Sequence, residues 1–595
     1  MRSSGFLKLA CVLALQLGVS HGRLYQDLKD LPKADWDFVI VGAGPAGSVL
    51  AHRLSEVKSN NVLLIEAGPS NENILEMSIP FFASRLIAAT PWDWNYTTIP
   101  QEGLDGRELP FPRGHVLGGS SSTNFMVHTR GSSDDYDEFA RLTGDPGWSW
   151  ESMLPYFMKN ERWSSFDPKP ELDCTRTHNP SVHGTKGKTS VSQSAYGSEV
   201  DCVLLSTTED PESEFSFNKD FNSGTPLGLG WPQANVGNGT RSSAATSYLG
   251  KDAMARKNLH VVINTLATRV IGEKERDTLS VKQVELVSKV TGVKKTVKAS
   301  KELILSAGSV GSPAILLHSG IGGKTLPGKK LLHKLPDVGQ NLLDHPMFTF
   351  LWKTKLTDTF EDYVQNATRM NELIGLWNAT RSGPLANTYP NAIGWHRLPV
   401  DDPIFAEEAD PSSGDKTAHL EFIFINGNLP ASTLPDGNYL SIVVALVTPS
   451  SAGSVTLASA DPFKAPLIDP AFLTSKFDVH AFRYGAKLAQ RFANLTVMQN
   501  VLLEPANFDP NWTDDELDAW IRENMISVFH PMKTCRASRK GSKIGVVDPD
   551  LKVKGVKGLR VVDASVFPLL ISAHTTAPVY ALAERAADLI KKEWS

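Results

Sequence analysis

The sequence predicts a protein of the α/β class, in which a parallel sheet is assembled from separated segments and a second domain is inserted between them. An apolar strand, a glycine turn and a helix follow one another at 37–56, and a second apolar strand ends in an acid at 62–68. Apolar strands beside glycine turns recur at 302–308 and 559–565. Because crossover connections join the strands of such sheets, we expect these distant segments to share one sheet.

The first strand, turn and helix carry a GxGxxG motif at Gly42, Gly44 and Gly47. The first glycine permits a tight turn, the second lets the backbone approach a pyrophosphate, and the third lets the helix pack on the sheet. The helix N-terminus adds free N–H groups and the positive end of a dipole. Glu66 ends the second strand about 20 residues later, where a carboxylate binds an adenosine ribose. These residues predict a dinucleotide site, for NAD or FAD alike.

Residues 1–22 predict a cleaved secretion signal. Arg2 and Lys8 precede an apolar run, Leu9–Val19, which is too short to span a bilayer, and the small residues Ser20 and Gly22 suit signal peptidase. No later segment has the apolar length of a membrane helix. We therefore expect a secreted protein with no membrane association.

Acceptor sequons for N-glycosylation agree with secretion. They begin at Asn238, Asn366, Asn378, Asn494 and Asn511. A sixth sequon begins at Asn95, which we expect to be buried.

Charge and cysteine content exclude several classes of protein. The chain of 595 residues has a formal net charge of −5, which gives no electrostatic case for nucleic acid as a partner. Once Cys11 leaves with the signal, Cys174 and Cys202 either pair, with Cys535 free, or all three remain thiols. No cysteine or histidine cluster has metal-ligand spacing, so we expect no metal. Nothing suggests an association helix, and we expect a monomer.

A second glycine-rich block, at 96–131, contains Gly118 and Ser120 in the run GGSSS, followed by Asn124. Backbone N–H groups of such a loop can contact a phosphate or the edge of a flavin ring. The block SAGSVGSPAILLHSGIG at 306–322 repeats the pattern of glycine turn and apolar helix, and VGQNLLDH at 338–345 predicts another packed turn.

These blocks resemble the glucose–methanol–choline family of flavin oxidoreductases, nearly end to end from about residue 35. PRGHVLGGSSSTN and GSVGSPAILLHSGIG match the two signatures of that family. The resemblance implies FAD, held between 118–124 and the C-terminal segment, and a Rossmann-like FAD-binding domain beside an α+β substrate domain with an antiparallel sheet. The implied FAD-binding domain comprises 35–135, 230–345 and 527–595, and the substrate domain 136–229 and 346–526.

The resemblance places the chemistry at two histidines near the C-terminus, His530 in SVFHPMKTCR and His574 in SAHTTAPVY. Oxidation of an alcohol by a flavin moves a hydride to the flavin and needs a base for the hydroxyl proton. Histidine suits this task because its ordinary pKa is near ~6.5. The family pattern makes His530 the base, and His574 the partner that hydrogen-bonds the developing alkoxide.

Further residues follow from the resemblance. Phe529 and Tyr96 correspond to aromatic walls of an aryl-alcohol pocket, or alternatively to core packing. His115 lies where relatives attach FAD covalently, or else is a free histidine facing adenine or solvent. The remaining implied cofactor-binding residues are Asn95, Thr98, Val270, Asp563 and Thr575.

Two segments depart from the family pattern. Lys533 stands where glycine is common, so this loop is expected to pack differently. The segment 425–438 lacks the aromatic residues of an aryl-alcohol access loop, which predicts a more open or more polar pocket.

The chain most resembles fungal aryl-alcohol oxidases, with pyranose dehydrogenases as near relatives. The first-choice activity is oxidation of a primary aryl or allylic alcohol to an aldehyde, with oxygen reoxidising FAD to give hydrogen peroxide. The alternative is a sugar dehydrogenase that passes electrons to quinones. A flavoprotein that has lost catalysis and an NAD-linked dehydrogenase are more distant alternatives.

Overall fold

The computed structural model describes residues 23–164, 174, 177–194, 196–275, 278–324, 330–428 and 437–595. The predicted signal, 1–22, and most of the predicted access loop, 429–436, lie outside the described residues.

Within the described residues, the largest sheet has nine strands and is parallel around the glycine motif. The strand Trp36–Val41 runs parallel to both Val62–Ile65 and Lys294–Leu305, and Leu559–Val561 runs parallel to Lys294–Leu305. Strands from both ends of the chain therefore share this sheet, as the sequence predicts. The other strands of the sheet are Leu24–Tyr25, Leu259–Val262, Thr265–Glu275, Thr278–Ser288 and Val556–Lys557.

Glycine is required at two positions of the first turn. Gly42 has a φ of +99°, and a Cβ there would lie 2.4 Å from the Ser306 carbonyl oxygen. A Cβ on Gly47 would lie 1.8 Å from the carbonyl oxygen of Gly42. The turn and the first helix thus approach each other more closely than any side chain allows.

The described helices of eight or more residues flank the sheets. Pro45 occupies the first turn of the first helix, where its missing N–H is not needed. Capping boxes begin the helices after Ser132, Ser198 and Thr513. The helices are Pro45–Leu54, Ser133–Thr143, Trp150–Asn160, Glu199–Ser206, Gly308–His318, Ala367–Thr380, Lys476–Ala493, Asp514–Asn524 and Thr576–Glu593.

A second sheet, antiparallel throughout and with seven described strands, supports the other half of the molecule. One face packs against the helix Lys476–Ala493 through residues such as Phe422 and Phe482. The opposite face joins an aromatic cluster that includes Trp395 and Tyr389. The strands are Gly228–Gly230, Pro346–Thr354, Ala392–His396, Leu420–Ile425, Tyr439–Leu446, Leu502–Pro505 and Ile526–Ser527.

Two helices that the expected boundaries assign to the substrate domain pack instead in the core of the first sheet. Tyr136, Phe139 and Phe157 belong to the same buried cluster as Tyr580 of the C-terminal helix. We therefore propose that the boundary expected at residue 136 lies after the helix Trp150–Asn160.

Cys174 and Cys202 form a disulfide, with Cα atoms 5.4 Å apart, and Cys535 is a buried thiol. None of the helices in the described ranges is both long and apolar enough to cross a bilayer. The same residues contain no cluster of side chains that could hold a metal ion.

Candidate active site

A cavity of about 460 Å³ lies at the carboxyl ends of the parallel strands. Its lining includes Gly42, Glu66, Ser306 and Asp563, each of which directly follows or lies just beyond a strand. In open α/β sheets, this edge is where ligands bind.

Three helices begin at this cavity, at Pro45, Gly308 and Thr576. In none of the three does the side chain of the N-cap residue itself accept a capping hydrogen bond. Each therefore presents backbone N–H groups and the positive end of its dipole toward the cavity. The arrangement favours a ligand that carries negative charge at more than one point.

Glu66 is buried at one end of the cavity. Its Oε2 accepts a hydrogen bond from the Ala43 N–H (2.8 Å), and its Oε1 accepts one from the Gly68 N–H (2.9 Å). Burial raises the pKa of Glu66 to about 7, and the two N–H groups oppose that rise. Each of these two hydrogen bonds uses one oxygen of the Glu66 carboxyl group. The remaining lone pairs can accept hydrogen bonds from hydroxyl groups of a ligand in the cavity.

The cavity suits a flavin dinucleotide on two observations. The Ser306 hydroxyl lines it and is buried without a hydrogen-bond partner among the described residues. A Cβ added to Gly44 would meet only the Gly119 Cα, at 3.9 Å, so the backbone there faces open space. The lining also runs from the Glu66 end to Thr575, as an extended cofactor requires.

The structure brings six of the thirteen sequence-predicted cofactor residues to this cavity. Asp563 accepts hydrogen bonds from the Gly308 N–H (2.9 Å) and the Ser312 hydroxyl (2.6 Å), and so joins the end of one strand to a helix N-terminus. The predicted cofactor residues in the lining are Gly42, Gly44, Glu66, Ser120, Asp563 and Thr575. Tyr96, which the sequence predicts as a wall of the substrate pocket, also lines this cavity.

Other predicted residues support the wall from behind. The Gly118 N–H donates to the Ala43 carbonyl (2.9 Å). Asn124 donates to the Thr576 hydroxyl (3.1 Å) and so ties the glycine–serine loop to the C-terminal helix. Arg241 holds Asn124 through both the backbone and the side-chain oxygen (2.6 and 2.9 Å).

Three more of the predicted cofactor residues lie outside the cavity lining. Asn95 is exposed, so its expected burial is wrong; its amide donates to the Thr90 and Asp93 carbonyls of its own turn. The Thr98 hydroxyl accepts from the Leu109 N–H. Val270 points its N–H at the Ser319 hydroxyl, and residues 265–268, earlier on the same strand, line the cavity instead.

His115 also lies outside the cavity lining, at the Glu66 end. Its Nε2 is 3.1 Å from the Ala67 carbonyl oxygen and 2.8 Å from Lys289 Nζ, and its ring packs on Trp94. Burial and the Lys289 charge lower the pKa of His115. Ala67, Lys289 and Trp94 all line the cavity, so His115 lies directly behind its wall, and the covalent flavin link at this residue stays a prediction.

The two predicted catalytic histidines meet beside the other end of the cavity. The ring centroids of His530 and His574 are 4.9 Å apart, with the rings nearly perpendicular. Their sequence neighbours Pro531 and Thr575 line the cavity. Two separate C-terminal loops thus bring both imidazoles to the same place.

His574 is held by a buried acid. Its Nε2 lies 2.8 Å from Glu421 Oε1, and its backbone N–H donates to the Thr129 hydroxyl (2.8 Å). Glu421 is 1% exposed and stands in the apolar strand Leu420–Ile425. The Glu421 carboxylate orients the ring and stabilises it when it carries a proton.

His530 is held through its backbone and its ring. Its N–H donates to Asp344 Oδ1 (2.6 Å), and its Nδ1 lies 3.0 Å from His345 Nδ1. Burial lowers the pKa of His530 well below its ordinary value, and His574, His345 and Arg113 add to this. His530 is therefore a neutral imidazole near pH 7, with a lone pair available.

The loop that carries His530 has a strained backbone on both sides of this residue. Phe529 has a φ of +67°, and its carbonyl accepts a hydrogen bond from the Arg113 guanidinium (2.6 Å). Lys533 has a φ of +76°. Glycine adopts this conformation most readily, which explains why it is common at the position of Lys533.

Sequence reasoning missed several residues that contact the histidine pair. The sequence does distinguish Glu421, because it is the only charged residue in the otherwise apolar strand Leu420–Ile425. Arg113 and His345 lie inside blocks that the sequence analysis marks, but nothing local distinguishes them as neighbours of the site.

Comparison with known proteins agrees with this geometry. Family models described as GMC oxidoreductase match residues 36–347 and 449–583. Pyranose dehydrogenase 3 of Leucoagaricus meleagris is 39% identical over 99% of this chain and 98% of its own. A FAD-dependent oxidoreductase from Chaetomium thermophilum is similar in structure, with a TM-score of 0.84 and 29% identity, over 94% of this chain and 100% of that chain.

A fungal aryl-alcohol oxidase structure has a TM-score of 0.82 and 26% identity, over 95% of this chain and 100% of that chain. Together with the cavity and the histidine pair, these matches confirm the resemblance drawn from the two sequence signatures. The chain belongs to the glucose–methanol–choline (GMC) oxidoreductase family and is a FAD-dependent enzyme that acts on CH–OH groups.

Proposed function

We propose that the protein oxidises a primary aryl or allylic alcohol to an aldehyde, with His530 as the base that takes the hydroxyl proton. The observation that carries this proposal is the neutral, half-buried His530 beside the His574–Glu421 pair, next to a cavity suited to FAD.

FAD, when bound, supplies the acceptor for the hydride that leaves the carbinol carbon. His530 removes the hydroxyl proton, and its low pKa keeps the ring in the unprotonated form that this step needs. His574 keeps its Nε2 on Glu421, which leaves Nδ1 for the substrate oxygen. A protonated His574 then stabilises the negative charge that develops on this oxygen.

Burial of the site supports proton transfer between these groups. Asp344, Glu421 and His574 are each at most 9% exposed, so water competes little for their hydrogen bonds. The helix that begins at Thr576 directs its positive end toward the cavity and favours negative charge there.

Aromatic residues surround the acid that holds His574. Side chains alternate along a strand, so Glu421 lies on the same sheet face as Ile423 and Trp395, in the buried cluster that also contains Tyr389 and Phe81. We propose that this apolar backing of the site suits an aryl substrate better than a sugar.

A sugar dehydrogenase that uses quinones is the second candidate. The 39% identity to a pyranose dehydrogenase over nearly the full length of both chains favours it. The two candidates share His530, His574 and FAD, and differ in substrate and electron acceptor.

A paired turnover assay tests the proposal. The purified holoenzyme is given benzyl-type alcohols or glucose, each with oxygen or with benzoquinone as acceptor. Peroxide from the aromatic alcohols supports the oxidase. Activity with glucose and quinone alone establishes the second candidate. If neither alcohol bleaches the flavin without oxygen, catalysis on this substrate class is excluded.

We also propose that the protein is a secreted, glycosylated monomer. The disulfide Cys174–Cys202 is typical of an oxidising compartment. All six sequon asparagines have exposed side chains: Asn95, Asn238, Asn366, Asn378, Asn494 and Asn511. Mass spectrometry of secreted protein before and after glycosidase treatment tests this, and light scattering gives the oligomeric state.

A further inference from the structure

The turn VGQNLLDH places a third histidine against the catalytic pair. His345 is 1% exposed, and its Nδ1 lies 3.0 Å from Nδ1 of His530. Two imidazole nitrogens at this distance share one proton, because one must donate and the other must accept. The proton on one ring therefore determines which nitrogen of the other ring is free.

The surroundings of His345 leave its ring a single described hydrogen bond. Burial lowers the pKa of His345 to about 3, with His574 adding to the effect, so the ring is neutral near pH 7. Nε2 makes no hydrogen bond to a described residue, so the contact between the two Nδ1 atoms is the one that orients this ring within the described residues.

Because this contact occupies Nδ1 of His530, only Nε2 of His530 is left to accept a substrate proton. Nε2 can accept only when the ring proton is on Nδ1, and His530 then donates from Nδ1 to His345. We propose that His345 is a positioning residue that holds His530 as the Nδ1–H tautomer, so that Nε2 of His530 is free to take the substrate proton. This inference rests on the proposed function, in which His530 is the base.

Asp344, the preceding residue, completes the arrangement. Its Oδ1 accepts from the backbone N–H of His530 (2.6 Å) and of His345 (2.9 Å), while the Ser527 hydroxyl donates to its other oxygen. Two consecutive residues of one turn therefore fix both the position of His530 and its proton. The other charged groups that act on His530 are His574 and Arg113.

The opposite tautomer disables the base. With the proton at Nε2, His530 offers no lone pair to the substrate, and general-base assistance of typically 10²–10⁴-fold is lost in those molecules. His345→Leu removes the acceptor at Nδ1. His345→Asn keeps one, because the Asn side-chain oxygen occupies nearly the same place as Nδ1.

Anaerobic stopped-flow reduction of the flavin tests the proposal in FAD-loaded variants. At pH 7 we expect the flavin of His345→Leu to be reduced on the order of 10²-fold more slowly than that of the wild type. The rate of flavin reduction in His345→Asn should stay within about 10-fold of the wild-type rate. The pH profile of each variant is recorded as well, so that a lower rate at pH 7 is distinguished from a shifted pKa of His530. His52→Asn, which removes an equally buried histidine elsewhere, leaves the rate unchanged.

A folded His345→Leu variant with the wild-type rate and pH profile overturns the proposal. An equal decrease in the rate of flavin reduction in His345→Leu and His345→Asn also overturns it. If His345→Leu does not retain FAD, ¹⁵N NMR of the unaltered holoenzyme decides, since it reports whether Nδ1 or Nε2 of His530 carries the proton; a proton at Nε2 excludes the role.

His530→Ala distinguishes this inference from the function on which it rests. A His530→Ala variant that still reduces its flavin at the wild-type rate refutes the assignment of the base. If flavin reduction slows in His530→Ala but not in His345→Leu, only the role of His345 is refuted.

Discussion

The two ends of the cavity are built in different ways. The Glu66 end is made largely of backbone: glycine turns, helix N-termini and N–H groups that come from a few contiguous stretches. The histidine end is made of side chains that come from distant segments, with His345 and His530 separated by 185 positions and Glu421 and His574 by 153.

This difference predicts that FAD binding and catalysis can be disturbed separately. A change at the backbone end disturbs the packing of the first helix on the sheet, and so affects folding and cofactor retention together. A change at the histidine end removes a proton acceptor or a charge while the sheet below stays intact. The following variants test whether that separation holds.

The largest effect is expected for His530→Asn. The ring that accepts the hydroxyl proton is lost, so flavin reduction should slow on the order of 10³-fold while FAD stays bound. Anaerobic bleaching of the flavin measures the rate, and the absorbance ratio of flavin to protein measures occupancy. Loss of FAD in this variant would contradict the separation of the two ends.

Gly47→Ala should act at the opposite end. Its Cβ would lie 1.8 Å from the Gly42 carbonyl oxygen, which is backbone and cannot move alone. We expect a loss of about 3 kcal/mol in the free energy of unfolding, with loss of FAD. Chemical denaturation measures the first and flavin absorbance the second.

Gly375→Ala is the matched control for Gly47→Ala. Gly375 lies in the helix Ala367–Thr380 with no atom within 4 Å of an added Cβ. This variant should gain up to about 1 kcal/mol, as Ala does over Gly in helices. A Gly47→Ala protein as stable and as yellow as Gly375→Ala would refute the close approach at the turn.

Glu421→Gln should have an intermediate effect on rate alone. His574 keeps a hydrogen-bond partner but loses its counter-ion, so stabilisation of the developing alkoxide falls; we expect a decrease of about 10–100-fold in flavin reduction. Glu361→Gln, a change at another buried acid, whose Oε1 accepts from the Asn428 N–H, is the control. Equal rates in the two variants would exclude a role for the charge of Glu421.

Buried histidines should make the stability of the fold depend on pH. Burial lowers the pKa of His52 from 6.5 to about 4, so between these values the unfolded chain binds a proton that the folded protein excludes. The stabilising contribution is thus present above pH 6.5 and is lost as pH falls toward 4, by up to about 1.4 kcal/mol per pH unit.

His52→Gln isolates this contribution. Denaturation at pH 7 and pH 5 should show a smaller loss of stability in the variant than in the wild type. An identical pH dependence in both proteins would mean that His52 titrates normally in the fold.

The smallest effect is expected at His115. Its ring lies behind the cavity wall, against Ala67 and Lys289 of the lining, so His115→Gln should leave flavin content unchanged if FAD is held without a covalent bond. Wild-type protein denatured in acid should then release all its yellow colour. Colour that stays with the precipitated protein would show a covalent link and confirm the sequence-based hypothesis.

Sequence alone predicts the backbone end well, for a physical reason. Gly42, Gly47 and Glu66 lie within one strand–turn–helix–strand unit, so their spacing along the chain reflects their spacing in space. The resemblance adds Asp563 and Thr575, which also line the cavity. Asn95 and Val270 lie outside the lining, although each is close in sequence to residues that reach the cavity, such as Trp94 and Thr268.

The histidine end is only partly predictable. His530 and His574 are recognisable from the residues around them in the sequence. The groups that determine which nitrogen of each ring carries a proton cannot be recognised in this way. Glu421 and His345 reach them through the pairing of the antiparallel sheet, because the strands Pro346–Thr354 and Leu420–Ile425 both flank Tyr439–Leu446. No spacing in the sequence encodes such a contact.

The helix Thr576–Glu593 begins at the cavity, and its remaining turns pack against the first helix, Pro45–Leu54. The cofactor site therefore needs residues near 45 and residues near 576 at the same time. During synthesis, the N-terminal glycine motif emerges early and must wait for nearly the whole chain before its cavity has a wall. FAD therefore binds only when synthesis is nearly complete, and chains truncated before residue 576 should be colourless.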